Sequence, residues 1–157
     1  MGLITAMKEA RFWEGWKNRF EGSKDRYITP NNPTVVRASE EADKGGTTPK
    51  ETGQNVWQYI YDNTEYKLSK EWKEPAQTLR DGVGDCEDVT FLAASMLPNM
   101  GVGDFKVVIG ELIFPSGAKE LHTWVEVGDM VIDATGSPGT SPQIEYKPVQ
   151  IYRINTQ

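Results

Sequence analysis

Gly82-Val83-Gly84-Asp85-Cys86-Glu87-Asp88-Val89-Thr90-Phe91-Leu92-Ala93-Ala94-Ser95-Met96-Leu97 reads as a glycine-rich approach to a capped helix. Asp85 is an N-cap residue, able to satisfy a first-turn N–H, and Asp88 lies where the helix dipole favours negative charge. Val89, Leu92, Ala93, Met96 and Leu97 recur at the spacing of one apolar helix face. Pro98 and Gly101 end the run. This is the expected central, buried helix. Cys86 stands outside the apolar stripe, in the first turn.

Downstream the period changes. Residues 105–114 are rich in β-branched and apolar side chains, and Pro115-Ser116-Gly117 is a turn. Leu121–Val127 reads as a strand, Gly128-Asp129 as a tight hairpin, and Met130–Asp133 as its partner. Gly136–Pro142 is a loop, and Val149–Ile154 a last strand. Upstream the pattern is helical. Trp13, Trp16 and Phe20 fall on one face of a helix over 3–21, roughly in line with Ile4 and Met7, and Gly22 stops it. Asn32 caps a short helix opened by Pro33, running to about Lys44. Thr48-Pro49-Lys50-Glu51 is a capping box opening a helix over 49–63. Residues 64–83 read as irregular, anchored by Trp72, Pro75 and Leu79. Helices first and an antiparallel sheet after them give an α+β fold. We divide the chain into an amphipathic helix and linker (1–30) and a main domain (31–157).

The chain has 157 residues, enough for one core, and 38% of them are apolar. A net charge of −6 argues against a nucleic-acid footprint. One cysteine cannot form an internal disulfide, so nothing calls for an oxidising compartment. The first residues carry no cationic leader with an apolar run, and no stretch is long enough to span a membrane. Position 6 is Ala where a myristoylation motif after Gly2 wants Ser or Thr. These features lead us to expect a cytoplasmic protein; a virus-borne or lysis-released one would read the same. The N-terminal aromatic face has two readings: packing on its own domain, or docking on a partner or a second copy.

Cysteine and histidine each occur once, at Cys86 and His122. A thiol is a weak nucleophile until ionised, and a helix N-terminus places backbone N–H dipoles near the sulfur. The Cys86 N–H could also face a developing oxyanion. An imidazole can take the thiol proton and return it to a leaving amine. The carboxylate of Asp133, eleven residues after His122 and brought back by the hairpin, can fix the imidazole tautomer. Nucleophile, base and orienter are the requirements of acyl transfer. Asp85, Glu87 and Asp88 work against it, since nearby negative charge raises a thiol pKa. They call for an imidazolium partner, or for a cation. A hard ion such as calcium prefers carboxylate oxygens, so Asp85 and Glu87 are candidate ligands. The blander reading is a small buried cysteine and a structural histidine.

Trp72-Lys73-Glu74-Pro75-Ala76-Gln77-Thr78-Leu79 with Gly82–Asp88, then His122-Thr123-Trp124-Val125-Glu126-Val127, then Ile132-Asp133-Ala134-Thr135, resemble three segments of the transglutaminase-like cysteine proteinase superfamily. The resemblance covers about residues 50–135. It implies a papain-like α+β core, with the nucleophile on a central helix packed on an antiparallel sheet. It implies acyl transfer from an amide through a thioester, with Cys86 as nucleophile, His122 as base and Asp133 as orienter. It suggests Trp72 or Gln77 as a second oxyanion donor. Some bacterial peptidases of this group use calcium near the nucleophile, although the chemistry itself needs no cofactor. Ala134 stands where proline is usual, and the accessory β-domains of animal transglutaminases are absent from this sequence.

The expected activity is hydrolysis of a peptide or isopeptide bond in a protein or peptide substrate. Transfer to an amine, as in transglutaminases, and a non-catalytic binding module with the same fold are the alternatives.

Overall fold

The computed structural model describes residues 13–69, 71–134 and 144–156. The helices come first. They are α1 (13–21), α2 (Lys24–Tyr27), α3 (Pro33–Ala42) and α4 (Pro49–Asn63). A short strand β1 (Glu65–Tyr66), helix α5 (Pro75–Asp81) and strand β2 (Val83–Gly84) lead into α6 (Cys86–Met96). A 3-10 turn (Leu97–Met100) follows, then strands β3 (Asp104–Ile113), β4 (Lys119–Val127), β5 (Met130–Ile132) and β6 (Glu145–Asn155). The last four form one antiparallel sheet in the order β5-β4-β3-β6.

Local signals set most of these boundaries. The Asn32 side chain accepts from the Thr34 N–H at 2.9 Å, and Pro33 occupies the first helical position. Thr48 accepts from the Glu51 N–H at 3.1 Å, and the Glu51 carboxylate takes the hydroxyls of Thr47 and Thr48. The stretch expected to be irregular is more ordered than its composition suggests. Pro75 opens α5, and Gly82 closes it with φ of 67°, a left-handed conformation that glycine adopts without strain. β1 then pairs in parallel with β2, Tyr66 opposite Gly84. A pairing of two residues has no period to read, so only tertiary structure creates it. The last strand also starts earlier than expected, at Glu145. The loop foreseen over Gly136–Pro142 and the first two turns of the 3–21 helix, with Ile4 and Met7, lie outside the described residues.

Helix α6 is the hub. Residues 88–97 are buried all round, not only along the apolar stripe, because α3, α4, α5 and β4 surround it. A helix enclosed in this way must be apolar or small on every face. Trp16 and Phe20 are buried in the same core, Phe20 stacking on Phe91 of α6 with ring centroids 5.9 Å apart. The described aromatic residues Trp16 and Phe20 of α1 are therefore packed into their own domain.

The two faces of the sheet differ. Val107, Ile109, Val125, Val127 and Ile132 point to the helices and join the main core. Side chains alternate along a strand, so His122, Trp124 and Glu126 share the opposite face. Gly110 makes room there. A Cβ at that position would lie 2.9 Å from Trp124 Cη2 and collide with the backbone carbonyl of Lys147. The register of β3 against β6 shifts at this point, between Ile109 and Gly110. We therefore expect Gly110→Ala to destabilise the fold by about 3 kcal/mol or more, since backbone rather than a flexible side chain must yield. Chemical denaturation would measure it.

Candidate functional site

The site begins with a helix cap. The Asp85 side chain accepts from the Asp88 N–H, and the Asp88 side chain accepts from the Asp85 N–H, both at 3.1 Å. Asp88 also accepts from the Lys73 N–H at 2.8 Å. Burial pushes the Asp88 carboxyl up to about 6, against these two N–H donors. Gly84 is required beneath the cap, because a Cβ there would sit 2.9 Å from the Asp88 Cβ. This reciprocal box fixes Cys86 as the first residue of α6.

The sheet supplies the surface that faces it. Strand β5 pairs with Val125–Val127 of β4 and stops at Ile132, opposite Val125. The edge of β4 beyond that point is taken by α6. The Thr90 hydroxyl donates to the Thr123 carbonyl at 3.2 Å, and the Thr123 backbone hydrogen-bonds Cys86. The thiol thus lies against the residue next to His122.

The same register brings His122 and Asp133 together. With Ile132 opposite Val125, Asp133 follows on the face that carries Trp124 and His122. His122 Nε2 lies 2.8 Å from Asp133 Oδ2, and both side chains are more than nine-tenths buried. Helix α4 anchors the end of β5: Trp57 Nε1 donates to the Asp133 carbonyl at 2.9 Å. A second donor, the Tyr146 hydroxyl of β6, reaches Asp133 Oδ2 at 2.8 Å. Neither Trp57 nor Tyr146 could be foreseen as a neighbour of Asp133. They lie 76 and 13 residues from it, and no local pattern links them.

The thiol itself is held as a thiol. Burial pushes its pKa up, and the Glu87 charge and a 3.1 Å hydrogen bond from Cys86 Sγ to Glu87 Oε2 push it further. The Thr123 backbone acts the other way. Burial also raises the Glu87 carboxyl. The expected conflict between the acidic flank and an ionised sulfur is therefore real, and Glu87 is its main charged source.

Other expected residues go elsewhere. Trp72 packs in a ring cluster with Trp16, Tyr27 and Phe91, at centroid distances of 5.5, 5.4 and 5.1 Å, under the Arg19 guanidinium. Gln77 donates to Asp81 and accepts from Arg80 on its own helix. The contacts of both side chains are thus structural, and neither makes a described contact with Cys86. Asp85 and Glu87 are likewise committed, one to the cap and one to the thiol. Calcium takes roughly six to eight oxygen ligands. Among the described residues no group of three or more acidic, histidine or cysteine side chains is arranged to hold a metal ion. In this arrangement both carboxylates are hydrogen-bonded within the protein, Asp85 to the Asp88 N–H and Glu87 to the Cys86 thiol.

The chain matches the transglutaminase-like superfamily model over residues 36–136. It belongs to that superfamily. Among solved structures it is similar to LapG of Legionella pneumophila, with 17% identity over 76% of this chain and 75% of LapG, at a TM-score of 0.55. Calcium-bound LapG gives 17% identity, the same coverage and a TM-score of 0.53. A protein of Cytophaga hutchinsonii described as a candidate cysteine protease gives 11% identity over 84% of this chain and 53% of its own, at 0.54. The chain spans about half the length of that protein. At such identities the likeness is one of fold, and that fold is the expected α+β core with an antiparallel sheet. No curated protein sequence matches the chain. No described helix is long and apolar enough to cross a membrane.

The raised thiol gives a direct test. Removing the Glu87 charge lowers the cost of forming the thiolate, so Glu87→Gln should speed alkylation of Cys86 by iodoacetamide at pH 7 by roughly fivefold or more. An unchanged or slower rate would show that Glu87 does not hold the proton on the sulfur.

Proposed function

We propose that the protein is a cysteine peptidase or amidase that hydrolyses a peptide or isopeptide bond through a thioester on Cys86. The observation that carries this reading is the 2.8 Å pair of His122 Nε2 and Asp133 Oδ2, together with a helix-start thiol that lies against the backbone of Thr123, the residue next to His122. Asp133 occupies one ring nitrogen, which assigns the other, Nδ1, to the thiol proton. Proton transfer from sulfur to Nδ1 makes the nucleophile, and sulfur attacks the carbonyl carbon. The C–N bond then breaks, and the imidazolium returns its proton to the leaving amine. Water attacks the thioester with His122 again as base, releasing the acid and restoring the thiol. The Cys86 N–H, in the first turn of α6, is the oxyanion donor in this scheme.

A thiol with a raised pKa suits the scheme in one respect. A sulfur kept protonated until substrate binds is inert toward solvent oxidants and stray electrophiles.

Cys86→Ala should abolish cleavage of a denatured protein mixture, read as new N-termini by mass spectrometry. His122→Ala should lower it by at least about 100-fold, the usual worth of a positioned general base. Cleavage that survives Cys86→Ala would sink the proposal. A labelled primary amine added to the same assay separates acceptors: incorporation into Gln-containing peptides without cleavage would make the protein a transferase.

LapG has been solved in calcium-bound and EGTA-treated forms. For this chain Asp85 and Glu87 are the candidate calcium ligands, and we expect the melting temperature to be higher in calcium than in EGTA by several degrees. Equal melting temperatures and equal activities in the two would remove the ion from the proposal.

A further inference from the structure

We propose that Tyr146 is a positioning residue for the Cys86–His122–Asp133 chemistry, acting through the carboxylate of Asp133. The inference rests on the catalytic reading above. It comes from a convergence: His122 Nε2 and the Tyr146 hydroxyl both lie 2.8 Å from the same atom, Asp133 Oδ2.

The phenol is built into place. In the register of the sheet, Tyr146 and Glu120 both lie opposite Leu112, so Tyr146 shares the face of His122, two residues along β4 from Glu120. Its ring meets Trp124 edge-on, with centroids 5.0 Å apart and planes at 83°. Trp124 is fully buried and is itself fixed by donation from Nε1 to Glu126 Oε2 at 2.9 Å. Gly110 leaves room for the Trp124 indole, since a Cβ there would lie 2.9 Å from its Cη2. The hydroxyl therefore reaches Asp133 from a rigid platform. Burial and the Asp133 charge raise the phenol pKa, so the group stays a donor at every working pH.

The consequence is mechanical and electrostatic. A carboxylate held by one side-chain donor can rotate about χ2 and share its proton partner loosely. A second donor on the same oxygen locks the rotamer and keeps Oδ2 aimed at Nε2. In the proposed scheme that in turn leaves Nδ1 as the ring nitrogen available to the thiol. Trp57 fixes the backbone of Asp133 from the other side, through its carbonyl. Tyr146 touches neither substrate nor sulfur in this scheme.

Tyr146→Phe removes only the hydroxyl and leaves the ring on Trp124. The second-order rate of Cys86 alkylation by iodoacetamide is measured from pH 5 to 9 in wild type, Tyr146→Phe and His122→Ala. The expected result is a rate about tenfold lower than wild type at pH 7, the worth of about one charge-assisted hydrogen bond, with the profile displaced to higher pH. A profile that superimposes on wild type, or a faster rate, overturns the proposal. If His122→Ala also leaves the rate unchanged, the catalytic reading itself has failed. If His122→Ala slows it and Tyr146→Phe does not, only the role of Tyr146 has. His122 is the one histidine in the chain, so its imidazole nitrogens give a single pair of NMR signals. They should report one tautomer in wild type and averaged nitrogens in Tyr146→Phe; identical signals again overturn the proposal. Should Tyr146→Phe fold poorly, 3-fluorotyrosine at position 146 keeps ring and hydroxyl but changes donor strength. It should shift the alkylation profile, and an unshifted profile overturns the proposal.

Discussion

Strand β5 is three residues long, and much of the site depends on that brevity. Had it continued past Ile132, it would have paired along the rest of β4 and covered the Thr123 backbone. Because it stops, the first turn of α6 closes the edge of β4 instead. An open strand edge has unsatisfied N–H and C=O groups. Here the Thr90 hydroxyl takes the Thr123 carbonyl, and Cys86 takes part in the other bond. The same ending releases Asp133 from the ladder, so that its carboxylate turns to His122. One truncated strand thus positions Cys86, His122 and Asp133.

The price of this arrangement is electrostatic. The cap that fixes Cys86 at the helix start needs carboxylates, and a buried carboxylate beside a thiol opposes its ionisation. Two devices act against the penalty: the helix N-terminus and the Thr123 backbone. They do not overcome burial and Glu87, which together hold the sulfur protonated. In the proposed mechanism the proton leaves the sulfur for His122 only at the moment of reaction. In that proposal the orientation of the imidazole matters more than the acidity of the thiol, and two donors, Trp57 Nε1 and the Tyr146 hydroxyl, hold Asp133 beside it.

Periodicity and capping made α3, α4, α6 and the sheet legible, because each carries its own signal within ten or so residues. Asn32-Pro33, Thr48-Pro49 and Asp85 mark starts through interactions with the next few N–H groups. The β1–β2 pair and α5 were hidden, since two-residue strands have no period and Pro75 was readable only as an anchor. Trp72 and Gln77 were plausible donors by position in the motif, but a motif does not state direction. The core needed a ring against Phe91, and the exposed surface of α5 took the amide. The aromatic face of α1 was open to two readings for a related reason. An amphipathic helix requires cover, and only the packing of Phe20 on Phe91 shows which surface provides it.

The sequence by itself determined the single thiol and imidazole, the cap that places Cys86 at a helix start, the hairpin between His122 and Asp133, and the α+β order. These follow from spacing and from local hydrogen bonding, which act over a few residues. Tertiary structure alone decided what each group touches. It set the register that puts Asp133 on the face of His122, the Tyr146 hydroxyl on the same oxygen, and Glu87 on the sulfur. Register and burial depend on chain segments far apart in sequence. The ionisation of Cys86 depends on them in turn, because a pKa is a property of surroundings and not of a motif.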